Sequence, residues 1–181
     1  PSDIKYWSEN KTEWFTPFEK GMKPDAFVTN CYTLAEIDFT GVELSIQTMP
    51  PYPWHFGGQQ YHNLFVDPEF IDKFCSETGH KICLDVSHSM MTCNYLKIDF
   101  MKEYYPKIEN HVNYMHIVDA KDVDGEGVQI GSGDVPFKEL CNSLNKDLPN
   151  VAFVPEVWQG HKDSGAGFWE AMRFLENIGL Q

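Results

Sequence analysis

The chain alternates between segments whose apolar residues have strand spacing and segments whose apolar residues have helix spacing. The clearest strand pattern is GVELSIQTM (residues 41–49), in which Val42, Leu44 and Ile46 alternate with polar residues. The clearest helix pattern is DPEFIDKFCSETG (residues 67–79), which opens with Asp-Pro, places apolar residues on one face and ends at a glycine. Strand and helix therefore follow each other along the chain.

The same alternation continues almost to the last residue. Further strands are predicted at residues 81–86, 112–120 and 150–158, and further helices at residues 24–37, 98–111 (at least in part), 134–147 and 165–179. Residues 1–23 are aromatic and charged without a clear period, which predicts an arm or a long loop before one domain at residues 24–181. Four strands that alternate with helices of this length predict an α/β fold with a parallel sheet.

Composition narrows the class of protein. With 181 residues, 42% of them hydrophobic, the chain can form one sizeable core. A formal net charge of −13 without a basic cluster disfavours a nucleic-acid partner. The five cysteines form no CxxC pair, which predicts reduced thiols and a cytoplasmic protein, and no apolar run approaches the ~20 residues needed to span a membrane.

One polar residue of chemical interest lies at or near the end of each predicted strand. These residues are Gln47, Asp85, His116 and Glu156. Taken singly, an Asp after a strand is commonly a helix cap, and a lone His is commonly a hydrogen-bonded core residue. Because the carboxyl ends of parallel strands meet at one rim, we expect the four to converge there, and carboxylates with an imidazole form a divalent-metal site.

Four segments carry a resemblance to a known family. LDVSH (residues 84–88), YMHIVDA (114–120), GEGVQIGSGDVPF (125–137) and VPEVW (154–158) resemble the xylose isomerase-like TIM barrels, a superfamily of sugar and sugar-phosphate isomerases and epimerases that also includes endonuclease IV. The resemblance begins at about Gly41. It implies a parallel (β/α) barrel of the TIM type, of which this chain holds about the C-terminal half, four βα units.

The resemblance also implies a metal and roles for particular residues. Asp85, His116 and Glu156 match positions that bind a divalent ion, which could be Mn, Mg, Co or Zn, and Glu156 is also the expected acid/base. His88 matches the second residue of the family's Asp-x-x-His pair and is expected to orient a substrate hydroxyl or support the metal ligands. Asp119 completes a His-x-x-Asp pair and is expected to contact substrate.

The fourth metal position departs from the family pattern. In the segment IQTMPP, Gln47 stands where the family usually has Glu. A Gln oxygen can coordinate a hard cation, but it adds no charge and cannot serve as a base. Glu43 is no substitute, since at ~3.3 Å per residue it lies about 13 Å lower on the same strand.

Two loops supply further candidates for substrate binding. Trp54 and His55 belong to an aromatic loop that either covers the substrate or forms a surface flap. His161 and Lys162 precede the last predicted helix, whose glycine-rich start could bind a phosphate or could be an ordinary helix start.

Three functions are compatible with these residues. The preferred function is a metal-dependent sugar or sugar-phosphate isomerase or epimerase. Gln47 favours the second, a barrel that has lost catalysis and binds a sugar or assists another enzyme, and the third is a nuclease like endonuclease IV. Because a complete barrel takes about 250 residues, we expect the remaining strands to come from a longer chain or from a homo-oligomer.

Overall fold

The computed structural model describes Tyr32, residues 40–51 and residues 64–180. The predicted arm at residues 1–23 lies outside the described residues, as do Trp54, His55 and the predicted helix at residues 24–37 apart from Tyr32.

The described chain follows the predicted order of strands and helices. In sequence these are β1 (Ser45–Gln47), α1 (Pro68–Thr78), β2 (Lys81–Asp85), α2 (Val86–Leu96), a π-helical turn (Phe100–Tyr104), α3 (Tyr105–Ile108), a 3₁₀ turn (Glu109–His111), β3 (Val112–Ile117), β4 (Asp119–Lys121), β5 (Gly125–Val128), α4 (Phe137–Asp147), β6 (Ala152–Pro155) and α5 (Lys162–Asn177).

Four strands form one parallel sheet in the order β1-β2-β3-β6. Its register pairs Gln47 with Cys83, Asp85 with His116, and His116 with Val154. Paired residues of a parallel sheet point to the same face, so these side chains share one face near the carboxyl ends of the strands. The predicted parallel α/β fold is confirmed.

Local chemistry explains why α1 begins and ends where the sequence predicts. The Asp67 side chain accepts a hydrogen bond from the Glu69 N–H, which caps the helix, and Pro68 occupies the first turn. Gly79 ends the helix with a φ of 76°, a left-handed conformation that glycine adopts without steric cost. Its apolar face, formed by Ile71, Phe74 and Cys75, is buried in the core.

Helix α2 has no counterpart among the predicted elements. It follows β2 directly, and Asp85 caps it by accepting the His88 N–H at 3.0 Å. Residues 86–93 are all buried, including Ser87, Ser89 and Thr92. A helix that is buried on all sides has no polar face, so it lacks the period by which helices are recognised in a sequence.

The predicted strand at residues 112–120 divides in two. β3 ends at Ile117, and β4 then leaves the sheet to pair antiparallel with β5. Gly125 permits this tight hairpin, because a Cβ atom there would overlap the Lys121 carbonyl. The hairpin packs on α2, where the Gly127 N–H donates to the Ser87 hydroxyl at 3.2 Å.

The last helix starts irregularly. Asp163, Ser164 and Gly165 have φ values of 50°, 60° and 81°, so regular helical backbone begins only after them. No helix in the described ranges has both the length and the apolar character needed to cross a bilayer.

Candidate metal centre

Four neighbouring strands bring the four predicted polar residues to one rim. Gln47 and Asp85 are the last residues of β1 and β2, His116 is the penultimate residue of β3, and Glu156 directly follows β6. Each strand alternates its side chains between the two faces, and the sheet register places all four on the same face.

The side chains of these residues are in mutual contact. Gln47 donates its amide Nε2–H to Asp85 Oδ2 at 2.9 Å, and the same nitrogen lies 3.3 Å from His116 Nδ1. His116 Nδ1 lies 2.7 Å from Glu156 Oε2 and 3.5 Å from Asp85 Oδ2. The structure therefore brings together all four residues that the sequence predicted would converge.

Asp85 is held rigidly in a dry environment. It is 1% exposed, and its backbone N–H donates to the Thr48 hydroxyl at 2.9 Å. Thr48 is fully buried, and its hydroxyl also receives the Ser89 hydroxyl proton at 3.1 Å. Sequence reasoning missed Thr48, whose only signal was its position immediately after Gln47 at the strand end.

The rim concentrates negative potential on His116. Hydrogen bonds to Asp85 and Cys83, together with the charge of Glu156, outweigh the effect of burial and raise the pKa of His116 to about 10. The same carboxylates that favour a proton on this imidazole favour a cation beside it.

The donor set fits one divalent cation. Asp85, His116 and Glu156 each offer one ligand atom, and these atoms all lie within 4.8 Å of one another. Ligand atoms bound about 2.1 Å from one ion lie roughly 3–4 Å apart, so small side-chain movements would close the site. Two carboxylates and an imidazole suit Mg, Mn, Co or Zn.

His88 lies beside this cluster with both ring nitrogens engaged by protein groups. Its Nδ1 is 2.9 Å from the Thr48 carbonyl oxygen, and its Nε2 is 3.0 Å from Glu126 Oε1. Burial lowers the pKa of His88, but the hydrogen bond to Glu126 and the charge of Asp85 outweigh it and raise the pKa overall. Sequence reasoning missed Glu126, although it lies in the GEGVQIGSGDVPF segment.

Asp119 anchors a loop where the resemblance implied a substrate contact. Asp119 is fully buried, and its two carboxylate oxygens accept backbone N–H groups from Ala120, Gly131, Gly133 and Val135 at 2.7–3.1 Å. A Cβ atom at Gly133 would overlap this carboxylate, which explains the glycine there. With these four donors bound, Asp119 holds residues 131–135 in place, and its predicted contact with substrate stays a prediction.

His161 and Lys162 are exposed, and they make local contacts. The Lys162 ammonium donates to Gln159 Oε1 at 2.9 Å, and the Gly165 N–H donates to the His161 carbonyl at 3.2 Å. The predicted role of His161 and Lys162 in substrate binding stays a prediction.

A cavity of about 270 Å³ opens beside the cluster. Asp85 and Glu156 form one part of its wall, and Asp124, Glu126 and Trp158 form the other. The cluster therefore lies next to a space that can hold a small molecule.

Comparisons with known proteins agree with this fold. Residues 25–178 match the family model described as xylose isomerase-like TIM barrel. The structure is similar to that of a D-tagatose 3-epimerase-like protein, with a TM-score of 0.58 and 16% identity over 95% of this chain. The chain spans 59% of that protein's length. No curated protein sequence gives a significant match. Because the family match covers most of the sequence, this chain belongs to the xylose isomerase-like TIM barrel family.

Proposed function

We propose that this chain is the metal-binding part of a sugar isomerase or epimerase. The observation that carries the proposal is the convergence of Asp85, His116 and Glu156 on one point beside a cavity. Family membership supports it, as does the fold shared with a protein described as D-tagatose 3-epimerase-like. Asp85, His116 and Glu156 would hold the ion. Gln47 would be a neutral fourth ligand if its amide group turned, so that the oxygen replaces the nitrogen that now faces Asp85 and His116.

Glu156 is the acid/base in this proposal. A bound divalent ion would polarise a sugar carbonyl and stabilise negative charge on its oxygen. Glu156 is 56% exposed on its side chain and lines the cavity, so it can reach a substrate, unlike the buried Asp85. In the isomerase reaction, Glu156 takes the proton from the hydroxyl-bearing carbon next to the carbonyl and returns it to the former carbonyl carbon, while the proton of that hydroxyl passes to the former carbonyl oxygen. Gln47 cannot share this task because an amide does not accept a proton at neutral pH.

Gln47 also supports a second candidate, a barrel that binds a sugar without converting it. Its amide N–H donates to Asp85, and only two of the four positions that face the site, Asp85 and Glu156, contribute negative charge. A less anionic site binds a cation less tightly and has one proton carrier fewer.

An activity assay on the metal-loaded protein separates the two candidates. A panel of aldoses and ketoses is incubated with wild-type protein, with and without EDTA, and hydrogen exchange next to the carbonyl is followed by NMR. We expect EDTA to abolish exchange and added Mn²⁺ to restore it, and we expect Glu156→Gln to reduce exchange about 10²–10⁴-fold. Activity that survives EDTA would overturn the proposed mechanism, and sugar binding without exchange would support the non-catalytic barrel.

A further inference from the structure

The cavity wall opposite Asp85 is formed by residues that the proposed chemistry has not used. Asp124, Glu126 and Gly127 come from the β4–β5 hairpin, and Trp158 comes from the turn after β6. Backbone contacts join these two segments, because the Trp158 N–H donates to the Gly127 carbonyl at 2.8 Å. The wall is thus a continuous piece of structure that lines the same cavity as Asp85 and Glu156.

Glu126 is the member of the His88–Glu126 pair that faces the cavity. The His88 side chain is 10% exposed, and protein groups engage both of its ring nitrogens. The Glu126 side chain is 35% exposed and lines the cavity. Since a carboxylate can accept more than one hydrogen bond, Glu126 can bind His88 and a substrate hydroxyl at once. His88 then acts through Glu126 as a positioning residue.

Trp158 adds an apolar surface to the same wall. It is 75% exposed although it belongs to a well-fixed turn. Gly127 opposite it has a φ of +75°, and a Cβ atom there would approach the Trp158 Cβ to 3.2 Å, so the hairpin and the tryptophan backbone are closely packed. The C–H groups of a sugar carry partial positive charge and pack favourably on the face of an indole ring. Trp158 can therefore pack against the C–H groups of a sugar, while the neighbouring carboxylates accept hydrogen bonds from its hydroxyl groups.

The charge of the wall indicates which sugars fit. Among the described residues that line the cavity, Asp85, Asp124, Glu126 and Glu156 are acidic, and none is lysine or arginine. Even with a divalent ion held by Asp85 and Glu156, Asp124 adds a carboxylate that forms no ion pair with a described residue. A phosphate group would meet this negative potential without a lysine or arginine among the described lining residues to bind it.

We infer that Glu126 and Trp158 form a substrate-binding wall for an uncharged sugar, that His88 positions Glu126, and that the phosphate ester of the same sugar is excluded. This inference rests on the proposed sugar-processing function and specifies its substrate class.

Binding measurements on the full chain test the inference. Pentoses and hexoses, each as the free sugar and as its phosphate ester, are titrated into Mn²⁺-loaded protein by calorimetry. At least one free sugar should bind about tenfold more tightly than its ester. Trp158→Ala should weaken that binding about tenfold, whereas Trp169→Ala, at a residue that is 63% exposed on α5, should leave it unchanged.

A double-mutant cycle tests the role of His88. Glu126→Gln and His88→Gln should each weaken sugar binding, and the double variant should lose little more than either single variant, because His88 acts on the sugar through Glu126. Since His88 Nδ1 also lies 3.3 Å from Asp85 Oδ2, bound Mn²⁺ is measured in each variant and the comparison is made at full metal loading. Glu170→Gln, on the exposed surface of α5, is the matched control. Additive losses would overturn the positioning role.

The remaining outcomes separate this inference from the proposed function. The inference would be overturned if an ester bound more tightly than its free sugar, if Trp158→Ala bound sugar as well as wild type, or if no sugar in the panel bound. Bound Mn²⁺ is measured on the same samples, and its presence would show that the proposed metal site stands in each of these cases. Loss of Mn²⁺ binding in the wild-type protein, with free sugar still bound through Trp158 and Glu126, would instead overturn the proposed function alone.

Discussion

Single residues at the rim serve two purposes at once. Asp85 caps α2 through Oδ1, which accepts the His88 N–H, and its Oδ2 faces Gln47 and His116. A carboxylate fixed in this way does not need to reorganise when it binds a cation, because the helix start already holds it. The rigidity of the site therefore originates in a helix cap.

Gln47→Glu is the most informative substitution at this scale. The new carboxylate would lie where the Gln47 amide nitrogen now donates to Asp85 Oδ2 at 2.9 Å. Without metal the two carboxylates repel, so we expect a lower Tm in EDTA than for wild type. With Mn²⁺ the added charge strengthens binding, so the metal-induced rise in Tm should be larger. An equal or smaller rise would contradict a role for residue 47 beside the ion.

Buried thiols are expected to lower the free energy of unfolding as the pH rises into the alkaline range. Burial raises the pKa of Cys75 and Cys141 to about 11 and that of Cys93 to about 12. The unfolded chain loses these protons near pH 8.5, so above that value the unfolded state binds fewer protons than the folded state. The contribution of the thiols to the free energy of unfolding should therefore be intact below about pH 8.5 and fall toward pH 11, in addition to the fall that His116 causes between about pH 6.5 and 10.

Denaturant unfolding of Cys93→Ala checks this expectation. The variant is less stable at every pH because it leaves a cavity, but its free energy of unfolding should fall less steeply with pH than that of wild type. Equal slopes would show that Cys93 does not contribute.

At the scale of elements, the loop after β5 depends on one buried carboxylate. Asp119 accepts four backbone N–H groups, three of which belong to residues 131–135. This arrangement keeps the loop against β4 beside the cavity-lining hairpin.

Asp119→Ala should lower the free energy of unfolding by at least about 3 kcal/mol, because four buried donors lose their acceptor. Asp124→Ala, at an exposed position of the neighbouring turn, should change it by less than about 0.5 kcal/mol. Urea unfolding of both variants provides the measurement. A small effect at Asp119 would mean that the loop is held by other contacts.

Among the described residues, the helices that sequence analysis predicted are those with one buried and one exposed face. Helix α1 carries a capping Asp, a terminal Gly and an apolar stripe, and all three signals are visible in the sequence. Helix α2 has none of these signals except the cap, because residues 86–93 are all buried. The strand pattern of residues 112–120 continues through the end of β3 into β4, so the departure from the sheet after Ile117 could not be predicted from periodicity.

Part of the candidate site could also be predicted from the sequence, and part could not. Gln47, Asp85, His116 and Glu156 could be predicted because each follows an apolar strand, and parallel strands align their ends. The contact between His88 and Glu126 could not be predicted from the sequence, because 38 residues separate them. The hairpin that brings Glu126 to His88 was not predicted either.

At the scale of the whole molecule, the described sheet is open, with β1 and β6 at its edges. Val154 of β6 shares the face of His116 and is 39% exposed. In a complete barrel, side chains on this face fill the interior. That the remaining strands come from a longer chain or from a second copy stays a prediction.

Val154→Ser tests whether this face is exposed. We expect a change in the free energy of unfolding below about 0.5 kcal/mol, because water already reaches the side chain. Val157→Ser, only three residues away but 8% exposed, should cost about 1–3 kcal/mol. A large loss at Val154 would indicate that another part of the protein covers the face in solution.

Calorimetric titration of Mn²⁺ into chelator-treated protein tests whether Asp85, His116 and Glu156 bind a divalent ion. Asp72 provides the matched control, since it pairs with His111 at 2.8 Å at the opposite end of β3. We expect one Mn²⁺ per chain in wild type and in Asp72→Asn. In Asp85→Asn the affinity for Mn²⁺ should be weaker by roughly 100-fold or more. No binding to the wild type, or equal binding by wild type and Asp85→Asn, would contradict this prediction.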